Sequence, residues 1–435
     1  MKVLLSILRA AALLLLMSRV GERTHAQQLP ALPDLPGRIA YIGVDYNVYS
    51  MTLPDGEALA LTDDAGMAAR RTAQYYQWPT WSTDGRLAYF RTLADMRGSS
   101  GTEVYISPDG MTPGEVAYSD QETELNYAYW APQNCAETED CRDLALLLGS
   151  DTMSSFIVTL VRDGLDEARS VDVGAGSPFY FSWSPNGRQM LWVRDRERMD
   201  IFDAVDYEIE QTLEQVPGTF FAPAWSPVDD RLLFAGQSDN GETTDLVIVA
   251  NGTARVLVAD LNGSTAFSWS PNGNRIAYSN DGGPVYLIDA VSGETVARSP
   301  VSGVIAFFWS PNSESLAYIT AAAQPPGSFN AIDSSGPKTA ALQGAAGLAW
   351  SVLDVEADVT QRYGTFRPTR EMIYLLSYFD QFAQSHRLWS PDSTHLLYSE
   401  LDASDQPVIS LLDTTQPIGV PLVIAEGVVG IWSFS

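Results

Sequence analysis

The amino-acid sequence predicts an all-β protein, a β-propeller closed into a ring, and three observations lead to this prediction. A tryptophan-containing unit recurs along the chain, the spacing of its copies matches one four-stranded blade, and the two ends of the chain supply complementary halves of one unit. The 435 residues are 45% hydrophobic and 18% charged, a composition that suits a large globular core rather than a disordered chain.

Each copy of the repeated unit has the pattern of a β-hairpin. A clear copy is Trp-Ser-Pro-Asn-Gly at residues 269–273, followed by an apolar strand that ends at Tyr278. Proline presets the backbone at the second turn position, and asparagine and glycine suit the next two, so this sequence predicts a tight turn between two strands. We expect the repeated aromatic side chains to pack between adjacent blades. The copies begin at Trp81, Trp130, Trp183, Trp225, Trp269, Trp309, Trp389 and Trp432.

The spacing of the tryptophans predicts the number of blades. Most intervals are 40 to 53 residues, close to the roughly 40–45 residues of a four-stranded blade. The interval from Trp309 to Trp389 is 80 residues. We assign it to one blade with an insertion around residues 322–346, rather than to two blades with Trp350 as a degenerate marker. The sequence therefore favours eight four-stranded blades, with seven and nine left open.

The two ends of the chain predict how the ring closes. Residues 37–41, Gly-Arg-Ile-Ala-Tyr, match the second strand of the unit, whereas the copy at residues 432–435 stops where its second strand should begin. We therefore expect the carboxyl-terminal strand to pair with the amino-terminal strands in one shared blade. Closure of this kind removes the exposed sheet edges that an open array would leave.

Residues 1–26 have the features of a secretory signal peptide. Lys2 and Arg9 precede an apolar run at residues 10–17, and Thr-His-Ala ends a plausible cleavage site before Gln27. The run is far shorter than the roughly 20 residues of a membrane anchor. We expect residues 27–36 to form a proline-containing linker and residues 37–435 to form a single propeller domain. The mature protein, without a transmembrane segment, is expected in the periplasm or outside the cell.

The cysteine content and the net charge limit the kinds of site and partner that the sequence predicts. Cys135 and Cys141 are the only cysteines, and their spacing predicts a small disulfide loop in an oxidising compartment. A metal site is the alternative, but His386 and His395 are remote from both in sequence, so we expect no metal and no other cofactor. The 54 acidic and 26 basic residues give a net charge of -28, which argues against nucleic acid and anionic membranes as partners.

The repeats, Trp-Ser-Pro-Asn/Asp-Gly-x-x-Leu/Ile-Ala-Tyr, resemble those of the TolB-like propellers, a branch of the WD-repeat-like propellers that is common in exported bacterial proteins. The resemblance covers nearly the whole chain after residue 36 and implies a propeller fold. The family serves many functions, so the resemblance does not define a task. Only a short linker stands where TolB carries an α/β domain, and we therefore do not expect the role of TolB itself.

The sequence favours binding over catalysis. It contains no G-x-S-x-G elbow, P-loop, dinucleotide fingerprint or H-E-x-x-H motif. We predict a non-catalytic scaffold that binds an envelope or extracellular protein, such as a separately encoded transporter or peptidase, or a small ligand in the channel mouth. The alternative is a channel-centred carboxylate enzyme that acts on glycans, a hydrolase or lyase, because acidic pairs such as Asp203 and Asp206 are plentiful.

One segment, residues 362–387, departs from the repeat and carries four arginines in an otherwise acidic protein. Its apolar residues fit helical spacing, and a fourth strand followed by a loop fits equally well. In one interpretation these apolar residues anchor a long connection and the arginines pair with nearby carboxylates. In the other, the segment forms a rim for an anionic ligand or partner group. The candidate rim residues are Arg367, Arg370, Tyr374, Tyr378, Asp380 and His386.

Overall fold

The computed structural model describes residues 32–67, 72–94, 100–135, 137–138, 140–150, 153–165, 168–322 and 347–435. These residues form a ring of antiparallel sheets and two short helices, α1 (Arg370–Ser377) and α2 (Phe379–Phe382). The strands in chain order are β1 (Arg38–Gly43), β2 (Val48–Thr52), β3 (Leu59–Ala60), β4 (Gly66–Met67), β5 (Ala73–Trp81), β6 (Leu87–Ala94), β7 (Ser100–Ser107), β8 (Glu115–Asp120), β9 (Glu124–Trp130), β10 (Arg142–Gly149), β11 (Phe156–Asp163), β12 (Arg169–Gly176), β13 (Phe179–Trp183), β14 (Gln189–Arg194), β15 (Arg198–Asp203), β16 (Glu208–Thr212), β17 (Ala224–Trp225), β18 (Leu232–Gln237), β19 (Thr244–Ala250), β20 (Thr253–Leu261), β21 (Thr265–Trp269), β22 (Arg275–Asn280), β23 (Val285–Asp289), β24 (Thr295–Arg298), β25 (Val304–Trp309), β26 (Ser315–Ala321), β27 (Leu348–Asp354), β28 (Val359–Phe366), β29 (His395–Leu401), β30 (Pro407–Asp413) and β31 (Leu422–Trp432).

Seven hydrogen-bonded sheets make up the described part of the ring. Five of them have four strands each and follow one another along the chain, from the sheet of β9 to β12 through the sheet of β25 to β28. Another sheet joins β4 to β8 in chain order. The seventh has six strands, in the order β29-β30-β31-β1-β2-β3. The result is an all-β propeller built mainly of four-stranded blades.

The structure corrects the predicted number of blades, because the propeller has seven sheets and the prediction of eight four-stranded blades is wrong. The physical reason is the 11-residue strand β31. Its first half pairs with β30, for example Glu426 with Val408, and its second half pairs with β1, for example Trp432 with Ile39. The repeats that begin at Trp389 and Trp432, which we expected in separate blades, therefore belong to one continuous six-stranded sheet.

The predicted closure of the ring is confirmed. β31 and β1 pair antiparallel from Ile39 opposite Trp432 to Ile42 opposite Val429. Beyond the strand ends, the backbone N–H of Ser433 donates to the carbonyl of Arg38 at 2.8 Å. The first and last strands of the described residues are thus neighbours in a single sheet.

The repeat tryptophans are core residues, as predicted, and seven of the eight are buried. Four of them also tie neighbouring sheets together, because their indole N–H donates to a carbonyl on the preceding sheet. In each case the acceptor is the residue directly before the preceding repeat tryptophan. These bonds are Trp130 to Thr80 at 3.0 Å, Trp183 to Tyr129 at 3.1 Å, Trp269 to Ala224 at 3.3 Å and Trp389 to Phe308 at 3.0 Å.

The predicted disulfide is confirmed, since Cys135 and Cys141 are bonded with their Cα atoms 5.4 Å apart. The proposed signal peptide lies outside the described residues, and so does nearly all of the predicted insertion around residues 322–346. The part of the linker that is described packs on the ring through Leu35, which is buried beside Ile39. Neither of the helices in the described chain is long and apolar enough to cross a membrane.

Candidate functional site

The segment at residues 370–386, which we call the plug, fills the central channel of the propeller. Its helices pack against β13, β21, β25, β29 and β31. Residues of α2 also contact β5, β9 and the segment that leads into β17. These strands and segments belong to all seven sheets, and a single short segment reaches all of them only along the central axis. The channel is therefore occupied by the chain itself.

The local sequence explains why the plug is helical. The side chain of Thr369 caps α1 by accepting from the backbone N–H of Met372 at 3.2 Å, and Glu371 places a negative charge in the first turn. Met372, Leu375 and Leu376 form one buried face. The structure thus contains both features that the sequence left open, because the fourth strand β28 ends at Phe366 and the helix follows it.

Buried polar contacts fix the plug to the surrounding strands. The side-chain amide of Gln381 accepts from the backbone N–H of Phe181 at 3.2 Å and donates to the carbonyl of the same residue at 2.7 Å. The hydroxyl of Tyr127 lies 2.7 Å from Ser385 Oγ and 3.0 Å from the carbonyl of Gln381. The carboxylate of Asp380 accepts from the backbone N–H of Ala222 at 3.3 Å.

His386 ends the plug and is 2% exposed. Its Nδ1 lies 2.7 Å from Ser385 Oγ, and its Nε2 lies 3.3 Å from Thr80 Oγ1. The rings of Trp78 and Phe382 pack beside it. Burial in this apolar surrounding lowers the pKa of His386 to about 3, so the imidazole is neutral at physiological pH.

An aromatic row runs beside α1 at the mouth of the channel. It consists of rings in successive contact, with centroids 5.1 to 6.4 Å apart. All but one of these rings are half-buried, which leaves part of each accessible to solvent. In order, the row is Trp78, Tyr374, Tyr378, Phe221 and Tyr180.

Two exposed arginines lie near the aromatic row. Arg196 lies in the turn between β14 and β15. Burial raises the pKa of Tyr180, and the positive charge of Arg196 opposes this rise. Arg370 begins α1; burial and Glu371 raise the pKa of Tyr46 to about 12, and the Arg370 charge opposes this rise. Unlike Arg194 and Arg198, which pair with Asp200, neither has an ion pair within the described residues.

The structure separates the six candidate rim residues into three groups. Arg370, Tyr374 and Tyr378 lie at the channel mouth. Asp380 and His386, expected on the rim, are instead 3% and 2% exposed inside the plug, because the helices carry them into the channel. Arg367 lies away from the mouth, where it pairs with Asp405 in the turn between β29 and β30. That exposed pair matches the interpretation in which the arginines meet nearby carboxylates.

Sequence reasoning did not identify Trp78, Tyr180, Phe221 and Arg196 as candidates. The aromatic residues precede the repeat tryptophans Trp81, Trp183 and Trp225 by three or four positions, so their alignment within the repeat was the available signal. No sequence pattern identified Arg196, because it lies in a short turn between two strands, where its backbone is left-handed with φ 57°.

The acidic pair Asp203 and Asp206, which motivated an enzymatic alternative, has a structural role in its turn. Asp203 accepts from the backbone N–H groups of Val205 and Asp206 at 2.7 and 2.9 Å. Such a carboxylate stabilises its own turn. Across the ranges that the structure describes, no group of three His, Cys, Asp or Glu residues is placed to hold a metal ion.

The fold and the site define a β-propeller whose channel is closed by an internal helical plug. No family model matches the chain, and no curated protein matches its sequence. The fold is similar to that of TolB from Acinetobacter baumannii, with 12% identity, 83% of this chain and 82% of that chain covered, and a TM-score of 0.37. It is also similar to a eukaryotic initiation factor and to the C-terminal WD40 domain of Sif2. Each is 9% identical and covers 91% of this chain and 98% of its own, with TM-scores of 0.48 and 0.49. These similarities concern the fold alone.

Proposed function

We propose that the protein is an exported, non-catalytic scaffold that binds a partner protein at the plugged mouth of its channel, in the periplasm or outside the cell. The observation that carries this proposal is the combination of a filled channel with an aromatic, arginine-flanked surface above it. Residues 1–26 would direct export and be removed, and residues 27–36 would link the leader to the ring.

The filled channel supports binding at the surface rather than catalysis inside. An enzyme of the carboxylate type needs two acids facing an open cleft with room for substrate and, in many cases, water. Here the channel axis holds the buried side chains of Leu375, Leu376 and Phe379. The carboxylate of Asp380 is covered and already accepts a backbone hydrogen bond. A substrate could reach it only if the plug left the channel.

The composition of the mouth supports a protein partner. Tyrosine, tryptophan and arginine are the residues most often found at the energetic centre of protein interfaces. The aromatic row supplies partly accessible rings that the plug packing already orders, so binding would cost little side-chain entropy. Arg196 and Arg370 place positive charge beside the row in a chain of net charge -28, which favours partner groups that carry carboxylates.

The disulfide supports export. Disulfides persist mainly in oxidising compartments outside the cytoplasm, and Cys135 and Cys141 are bonded in the folded protein. The hydrogen bond from the Cys135 N–H to the Cys141 carbonyl, 2.9 Å, closes the same small loop.

The test is a capture experiment with the chain from residue 27 onward, tagged at its carboxyl end and incubated with envelope and culture-medium fractions. The test variant combines Arg196→Ala, Arg370→Ala and Tyr378→Ala. The control combines Arg255→Ala, Arg298→Ala and Val291→Ala, which remove two exposed arginines and one exposed apolar residue elsewhere on the ring.

We expect one defined protein to be retained by the wild type and the control and to bind the test variant at least tenfold more weakly once purified. Equal binding to the test variant would overturn the mouth as the site. Turnover of a glycan by the wild-type protein would instead overturn the non-catalytic role. Retention of residues 1–26 on protein recovered from its own cells would overturn export.

A further inference from the structure

We propose that Asn251 and Asn262 are N-glycosylation sites, and that their glycans cover the open edge of strand β20. The glycan would come from a polyprenyl-phosphate-linked oligosaccharide donor on the outer side of the cytoplasmic membrane or in an equivalent compartment. The proposal rests on the export proposed above, because such donors act on exported chains.

The sequence places two acceptor motifs at the two ends of one strand. Asn251-Gly-Thr253 and Asn262-Gly-Ser264 both match the pattern Asn-x-Ser/Thr. The chain has twelve asparagines, and these are the two that match the pattern. Asn251 begins the two-residue turn that leads into β20, and Asn262 directly follows the last residue of that strand.

The side chains of both motifs are available for modification. Asn251 and Asn262 are exposed, and within the described residues their amides make no hydrogen bond. The hydroxyls of Thr253 and Ser264 are likewise without a hydrogen-bond partner in that part of the chain. Four other exposed asparagines of the ring differ, since each accepts a backbone N–H in its own turn through Oδ1. These are Asn186, Asn240, Asn272 and Asn312.

The glycine between the asparagine and the hydroxyl residue forms a left-handed turn in each motif, and the turn at Gly252 is the more open of the two, because a Cβ on Gly263 would lie 3.0 Å from Asp281. Gly252 and Gly263 both have φ of 70°, a left-handed conformation that glycine adopts without strain. No heavy atom beyond its chain neighbours lies within 4 Å of the position that a Cβ on Gly252 would occupy. A transferase could therefore approach this turn without displacing a neighbouring element.

The glycans would shield the unpaired edge of strand β20. It is the outer strand of its sheet and, among the described residues, forms a ladder with β19 alone. On its other side the turn at residues 291–293 comes close to Arg255 and Leu257, and no described strand pairs with it there. Residues 256–259, Val-Leu-Val-Ala, are consecutive apolar residues of this strand; Leu257 and Val258 pack against the core, whereas Val256 is 47% exposed. An outer strand with an exposed apolar side chain and no partner on one edge can pair with a strand of another chain.

The strand carries partial protection of its own. Arg255 and Asp260 flank the apolar residues, and the pairing with β19 shifts register twice, which bends the edge. Other outer strands are shorter or more charged: β3 has two residues, and β16 carries Glu208 and Glu210 on a five-residue strand. Bulky hydrophilic groups at both ends of β20 would exclude a second chain from the edge between them.

The modification is a glycosyl transfer to an amide nitrogen. Nδ2 of the asparagine forms a bond with the anomeric carbon of the first sugar, while the bond from that carbon to the donor phosphate oxygen breaks. The phosphate leaves with the bonding electron pair, and Nδ2 loses one proton. The products are the N-glycosylated asparagine and the polyprenyl phosphate or diphosphate.

The experiment measures the intact and peptide masses of the protein purified from its own cells. We expect two glycan increments on the wild type, and loss of one increment in each of Thr253→Ala and Ser264→Ala, which keep the asparagines but remove the hydroxyls. The matched control Asn240→Gln changes an exposed turn asparagine without a motif and should keep both increments. On size-exclusion chromatography the double variant should self-associate more than the wild type at equal thermal stability.

Three results would overturn the inference, and they are distinguishable. An unmodified protein that lacks residues 1–26 would overturn glycosylation and leave export standing. An unmodified protein that retains residues 1–26 would overturn export and this inference with it. Increments that persist in Thr253→Ala and Ser264→Ala would place the modification elsewhere and would also contradict the proposal.

Discussion

Gln381 binds Phe181 as a neighbouring strand residue would, with one hydrogen bond to the backbone N–H and one to the carbonyl of the same residue. Both groups are buried. The plug is therefore joined to the ring by the same kind of bond that joins strands within each sheet, and its position does not depend on apolar packing alone.

We predict that Gln381→Leu lowers the free energy of unfolding by about 2–4 kcal/mol, because it leaves a buried N–H and a buried carbonyl without partners. Chemical denaturation followed by tryptophan fluorescence measures the change. Gln416→Leu, on the exposed loop before β31, is the control and should change stability by less than about 0.5 kcal/mol. Equal effects of the two substitutions would show that the contacts of Gln381 add no stability.

His386 predicts a loss of stability in acid. Its pKa is about 3 in the folded protein, below the ordinary value of 6.5, because burial disfavours the charged form. The unfolded chain therefore binds a proton between these pH values that the folded protein does not, and stability falls as pH falls from about 6.5 towards 3. At pH 4.5 this contribution amounts to about 3 kcal/mol.

The measurement is the melting temperature of wild type and His386→Gln at pH 7 and pH 4.5. We expect the decrease between the two pH values to be smaller in His386→Gln, whatever its stability at pH 7. The control is His395→Gln, because His395 is only half-buried and its pKa is lowered by burial but raised by Asp413 and Asp392. The same acid sensitivity in wild type and His386→Gln would contradict the assignment.

The disulfide is predicted to stabilise the loop between β9 and β10. Cys135 and Cys141 are six residues apart. Closing so short a loop lowers the conformational entropy of the unfolded chain, which raises the free energy of unfolding by about 2 kcal/mol. Addition of dithiothreitol should lower the melting temperature of the wild type. The double variant Cys135→Ser/Cys141→Ser should melt at the temperature of the reduced wild type and should not respond to the reductant.

Asp200 is predicted to be the most sensitive carboxylate of the described ring. Its side chain is fully buried and is bound by Arg194 and Arg198, each at 2.8 Å, and by Thr212 Oγ1 at 2.7 Å. Burial raises the pKa of Asp200, but these hydrogen bonds outweigh burial and hold it below its usual range.

Asp200→Ala should therefore lower the free energy of unfolding by about 3 kcal/mol, because it leaves the guanidinium of Arg194 without its counter-charge. The exposed neighbour Asp206 provides the control, and Asp206→Ala should be nearly neutral. Because the folded pKa of Asp200 is depressed, its contribution is present above the unfolded pKa and is lost as pH falls below it. A variant as stable as the wild type at pH 7 would disprove this role.

The ring could be predicted from the sequence because each repeat contains residues that favour a tight turn by their own conformational preferences. Pro, Asn and Gly at fixed positions after each tryptophan define hairpins without reference to the rest of the fold. These turn residues were not enough to predict the number of sheets, which also depends on where one strand ends and the next begins. β12 and β13 are separated by Ser177-Pro178, which interrupts the backbone pairing, whereas residues 422–432 contain no proline and continue as one strand from one repeat into the next.

The candidate site was predicted only in part, for a related reason. Helical spacing in residues 372–382 shows that one face must be buried, but it does not show against which surface. The burial of Asp380 and His386 depends on partners more than 150 residues away, such as Ala222 and Thr80. Residues at the mouth, such as Tyr374 and Tyr378, stand out in sequence because they remain outside the repeat pattern.

The pairing of β1 with β31 also determines how the ring would respond to mechanical force. The strands are antiparallel, and Arg38 and Ser433 lie beside each other at the end of the ladder. A pull applied to the chain on both sides of this seam would load its hydrogen bonds one after another, as a zipper is opened, rather than all at once in shear. Tension between the two ends would therefore open the ring at β31, while the sheets on the opposite side keep their bonds.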